Sequence, residues 1–110
     1  MPKFITVGYG DEAGYRSTPA PVRDAAHAHD ARLKAGGALM GVADEPVQVR
    51  NPGDRGVQTL AGPYLKSELP IAGFGVLEAS SLDEAVAMAS KSPCAVAHGV
   101  VEVWPLIDMP

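Results

Sequence analysis

The sequence predicts an α+β domain of the ferredoxin-like, split βαβ kind with an extra β-hairpin arm: an antiparallel sheet carrying two helices on one face. Three observations predict it. The stretch Ile71–Leu106 reads strand, helix, strand. Ahead of it, Phe4–Tyr9, a helix-forming run and Ala38–Ala43 give the same order. Between the two units lie a pair of short β-rich segments around a turn-dense centre. The sum, β-α-β-(hairpin)-β-α-β, is the split βαβ order. Right-handed crossovers then place both helices on one side of the sheet. The strands are apolar on both faces, so a second copy of the chain is the natural cover for the open face, as a sheet-on-sheet homodimer.

The elements follow in order. Phe4–Tyr9 (FITVGY) is strand one, and Gly10–Asp11–Glu12 with Gly14 ends it. Tyr15–Ala20 is expected as a loop. Helix one starts near Thr18 or Pro19, with Thr18 as N-cap and prolines accepted in the first turn. It runs to about Ala35, where Gly36–Gly37 supplies a C-cap. Val22, Ala26, His29 and Leu33 line one face, and Arg23, His27, Asp30 and Lys34 a polar one. Ala38–Ala43 is strand two, stopped at Asp44–Glu45–Pro46. Val47–Arg50 and Val57–Leu60 are the hairpin arms around NPGDRG, in which Gly53 or Gly56 can take positive φ. Ala61–Pro70 is a ten-residue connection, a length that more often serves function than not. Ile71–Ala79 is the next strand. Ser81 and Glu84 have the capping-box spacing ahead of Leu82, Ala85, Val86 and Ala89, which share one helical face. Ser92–Pro93 ends that helix. Val100–Trp104 is the last strand, closed by Pro105.

Composition sets the bounds. The chain has 110 residues, 46% hydrophobic, with net charge -4 and a pI of about 5.2. One domain over residues 1–110 is expected. Without a basic cluster, nucleic-acid binding lacks its electrostatic footprint. Cys94 is the only cysteine, so no intramolecular disulfide forms, which fits a reducing cytoplasm. No run approaches the ~20 apolar residues of a membrane span. The N-terminus leads straight into strand one without the pattern of a signal peptide.

Several segments together resemble the YCII-related family, in particular its DGPF-type branch, over nearly the whole length. FITVGYGDE at 4–12, LKAGGALMG at 33–41, AGPY at 61–64, GFGVLEASSLDEA at 73–85 and GVVEVWPL at 99–106 carry the resemblance. The last two are the most specific. The resemblance implies a dimeric α/β barrel built from ferredoxin-like subunits. It also permits lyase, isomerase or dehydrochlorinase-type chemistry, which relatives in that group perform. The chain departs from the branch in places. Ala61 replaces the aspartate of DGPF, Lys66 and Glu68 stand where acidic and basic residues are usual, and Trp104 replaces a usual arginine. The helix-one histidine common in the family aligns near Ala26.

The candidate chemistry is spread thinly. His29, on the sheet-facing stripe, can act as a general acid or base near neutral pH. The alternative is a core-edge histidine bonded to backbone. Asp44 could orient it, although a strand-end aspartate also serves as a turn residue. Tyr64 in the long connection could polarise a carbonyl or phenolate, and Lys66 could hold an anion; solvated loop roles are the alternative for both. Tyr9 and Phe74 are sheet core, dimer face or the lining of an apolar ligand pocket. His98 could stand at a pocket mouth or simply in a loop. His27 and His29 point roughly 200° apart on a helix and cannot chelate one metal, so no metal site is expected. Gly8–Tyr9–Gly10 lacks the spacing of a dinucleotide fingerprint, and no cofactor is expected. Two functions compete. One is a cofactor-independent proton-transfer enzyme, of lyase or isomerase type, acting on a cyclic or aromatic metabolite in a cleft between helix one and the sheet. The other is a non-catalytic small-ligand-binding or regulatory module that uses the same scaffold.

Overall fold

Four antiparallel strands form the main sheet in the order β2-β5-β1-β6, the ferredoxin-like arrangement. The computed structural model describes residues 1–109. Strand β1 is Lys3–Tyr9, β2 Leu39–Val42, β5 Ile71–Glu78 and β6 Val100–Leu106. The remaining strands, β3 (Val47–Arg50) and β4 (Gln58–Ala61), pair only with each other, as the predicted arm. Among the described residues no helix is long and apolar enough to cross a membrane.

Two helices appear where the sequence reading has none. Helix α1 (Glu12–Ser17) occupies the expected loop. Asp11 starts it, its Oδ1 accepting from the Gly14 N–H at 2.8 Å. Thr18 therefore closes α1 instead of opening the next helix, and its hydroxyl donates to the Gly14 carbonyl at 2.8 Å. Helix α2 (Ala20–Ala35) begins at Pro19 with no side-chain cap. Helix α3 (Leu82–Ala89) has the expected cap, the Glu84 N–H donating to Ser81 Oγ at 3.1 Å. The Glu84 carboxylate does not close the box back onto Ser81; it takes the hydroxyl of Ser80. The chain after α3 re-enters a short helix α4 (Pro93–Val96), with Pro93 in the first turn, where a missing N–H costs nothing. Pro105 does not end β6 but lies within it, which an edge strand allows.

Residues opposite each other in an antiparallel pair share a face. The helix-facing row of β1 is Phe4, Thr6, Gly8; its partners are Leu77, Gly75 and Gly73 on β5, and Pro105, Val103 and Val101 on β6. At the Phe4 end the face is filled. Phe4, Ala79 and Ala85 form the core, with Met88 and Val103 against it and Leu77 1% exposed. At the Gly8 end the strands contribute almost no side chain. Helix α2 adds little volume above them, because six of its sixteen residues are alanine.

The opposite face carries Ile5, Val7, Val76, Phe74, Leu39, Val100, Trp104 and Leu106, and the last five are exposed. Two carboxylates stand on it: Glu78 pairs with Lys3 at one end, and Glu102 Oε1 accepts from Tyr9 Oη at 2.7 Å. That bond, with burial and the charge of Glu102, holds the Tyr9 phenol above its ordinary pKa.

Candidate functional site

Where the sheet face is unfilled, a cleft of about 660 Å³ opens between α1, α2, α4 and the strands. Its floor includes Thr6, Gly8 and Gly73, and Met40, Val42 and Ala72 form a largely apolar side. Gly8 suits what lies over it. A Cβ there would meet Cys94 Sγ at 3.0 Å, so the glycine lets α4 sit close to the sheet. Gly99 seats the other end of the α4 turn. Its N–H donates to Cys94 O at 2.9 Å, and a Cβ would come within 2.1 Å of Tyr9 O.

The polar side of the cleft comes from one stripe of α2. His27, Asp30 and Lys34 fall three and four residues apart, so they share a helical face and line the cleft together. Tyr15 on α1 joins them, its hydroxyl 2.9 Å from His27 Nε2. The two rings meet edge-on with centroids 5.9 Å apart, and the Arg23 guanidinium lies 4.9 Å from the Tyr15 centroid. Asp30 is half-buried, and its Oδ1 is buried with no hydrogen-bond partner. Burial pushes its carboxyl above the usual aspartate range, against the pull of His29, His27 and Lys34. Burial also raises the Cys94 thiol, with Asp30 adding to it, so Cys94 is held as a thiol.

The residues singled out from the sequence fall in several places. His29 Nε2 lies 2.7 Å from Met88 O, tying α2 to α3 in the core-edge arrangement. Asp44 Oδ1 accepts from the Glu45 N–H at 2.7 Å, as a turn residue does. Tyr64 stands by the arm, its ring centroid 5.7 Å from the Arg50 guanidinium, at a separate hollow of about 500 Å³. His29, Asp44 and Tyr64 are therefore not brought together. Lys66 is exposed in the 61–70 connection, and Tyr9 is on the opposite sheet face. His98 is exposed with φ 63, in the loop before Gly99. Phe74 borders the cleft, but its register opposite Val7 turns its side chain to the other sheet face. The stripe that does line it, His27–Asp30–Lys34, reads from sequence as a solvated polar face. The signal that could have found it is the thinness of the apolar stripe: alanines cannot fill the space over a glycine floor.

Among the described residues no group of three or more histidine, cysteine, aspartate or glutamate side chains could hold a metal ion. A search of curated proteins gives no match. The model of the YCII-related domain matches residues 3–110, essentially the whole fold just described, and the chain belongs to that family.

Proposed function

We propose that the cleft over the Gly8 end of the sheet binds a small organic molecule and that Asp30 is the group that exchanges a proton with it. The observation that carries this is the buried, unpartnered Asp30 Oδ1 in a cleft of ligand size. A buried acceptor without a donor is costly, and a ligand bearing a donor would satisfy it. A carboxylate raised above its ordinary pKa is also a stronger base. It would take a proton from a C–H beside a carbonyl, leave the electron pair on the carbonyl oxygen, and return the proton at a second carbon. That is cofactor-independent isomerisation of a cyclic or aromatic metabolite; where the adjacent carbon carries a leaving group, its departure with the bonding pair in place of reprotonation makes the same step an elimination. Tyr15 and His27, already hydrogen-bonded, would stand beside the ligand as donors.

A second reading is favoured by the hydrogen bonding of His29 to Met88 O and of Asp44 to its own turn: both are occupied elsewhere, and the same cleft would hold a ligand without turning it over. An NMR fragment screen on the labelled chain tests the cleft. Fragments are expected to move amides of α2 and β5, and a set that moves none would end both readings. Solvent-deuterium incorporation into a bound ketone or lactone separates catalysis from binding.

The exposed apolar face of the sheet supports a homodimer closed sheet on sheet, the dimeric α/β barrel of the DGPF-type branch, and the lone Cys94 suits a cytoplasmic setting. Sedimentation should give about twice 11.4 kDa; a monomer at micromolar concentration would refute the dimer.

A further inference from the structure

We infer that the ligand is a small, flat cyclic or aromatic carboxylic acid bearing a hydroxyl or N–H donor, with the donor on Asp30 Oδ1 and the carboxylate on Lys34 Nζ. This rests on the cleft being a ligand site, and it adds which chemical groups that site reads.

The other charged groups of the cleft are engaged. Asp11 accepts from the Gly14 N–H and Glu12 pairs with Arg16. Among the described residues the ion pairs are Lys3–Glu78 and Arg16–Glu12, and Lys34 is in neither. Asp30 and Lys34 stand at i and i+4, a spacing at which opposite charges ordinarily close on each other. Here they do not, and Asp30 Oδ1 stays without a partner. One acceptor and one cation are thus presented about one helical turn, ~6 Å, apart on one cleft wall. A molecule that bridges them needs a donor at one end and an anion at the other. A six-membered ring substituted at opposite ends spans that distance. The facing walls suit a flat apolar body: Met40 and Val42, which share the helix-facing side with Gly75 and Gly73, on one side, glycine backbone below.

The test is a set of titrations of the isotope-labelled chain with 4-hydroxybenzoate, benzoate and phenol, followed by amide shifts. 4-Hydroxybenzoate is expected to move α2 and β5 amides with an affinity at least about tenfold above either single-group probe. Asp30→Ala should reduce its affinity to that of benzoate while leaving benzoate unchanged. Lys34→Met should reduce it to that of phenol. The probe series on the unmodified chain decides the matter even if a variant does not fold. Benzoate or phenol binding within twofold of 4-hydroxybenzoate overturns the proposal, as does equal weakening of all three probes by each variant. Indole serves as an uncharged control. If it moves the cleft amides and 4-hydroxybenzoate does not, the ligand class is wrong and the cleft stands. If neither moves them, both are wrong.

Discussion

The two ends of one sheet face behave differently. At the Phe4 end, Phe4 and Leu77 face each other across β1 and β5 and are sealed by Ala85 and Met88 of α3. At the other end the facing pair is Gly8 and Gly73, and α2 covers it with alanine and a polar stripe. Strand pairing is continuous through both ends, apart from an irregularity between Gly8 and Tyr9. The backbone is thus the same scaffold throughout, and side-chain volume alone decides whether the space above becomes core or cleft. A glycine in a strand weakens the local packing. Here it also leaves room for Cys94 and for the cleft.

The sharpest way to break this comparison is to remove volume from each end. Leu77→Ala should cost about 2–5 kcal/mol, because a buried leucine leaves a cavity its surroundings cannot fill. Val42→Ala, on the cleft side opposite Gly73 and exposed, should cost under about 1 kcal/mol. Urea unfolding of the two variants checks both values, and equal losses would mean that the cleft is as packed as the core.

Adding volume comes next. Gly99→Ala would drive a methyl group into Tyr9 O and should cost about 1–3 kcal/mol or more. Gly41→Ala meets nothing within 4 Å and should change the thermal midpoint little. Midpoints that fall alike would show that Gly99 does not seat the α4 turn.

The smallest expected effect is electrostatic. The folded chain holds the Asp30 proton more tightly than the unfolded chain does, because burial raises that carboxyl. Its contribution to stability is therefore full below the unfolded value, ~3.9, and is lost as pH rises through the folded value. Asp30→Asn should then be the more stable chain at neutral pH, by under about 1 kcal/mol given the partial solvation of the site. The gap should close below about pH 4. Thermal melts across pH 3–8 read it, and a gap that instead widened in acid would reverse the assignment.

Much of the filled end was legible in the sequence. Ser81 caps α3, Ala85 and Ala89 are buried, and the strand order follows from the β-α-β repeat. The arm is displaced by only one residue on one strand. The open end was not, because its signals are indirect. Gly10–Asp11–Glu12 with Gly14 reads only as the end of strand one until Asp11 caps the helix it starts. Periodicity assigns a polar stripe to solvent, and only the pairing of Gly8 with Gly73 shows that the space opposite His27, Asp30 and Lys34 is empty. His29 sits on the sheet-facing stripe as the pattern requires, yet its partner, Met88 O, lies 59 residues away and leaves no trace in local spacing.

The measurement that tests the central claim most directly is a carbon-detected NMR pH titration of the side-chain carboxyls, with Asp30 assigned by Asp30→Asn. An unfilled cleft that holds a desolvated, unpartnered carboxylate predicts an Asp30 midpoint above the ordinary ~3.9 of aspartate. It also predicts that 4-hydroxybenzoate displaces that midpoint. An Asp30 that titrates at or below the ordinary value, and does not respond to the probe, would show a solvated or ion-paired side chain and no site at the Gly8 end.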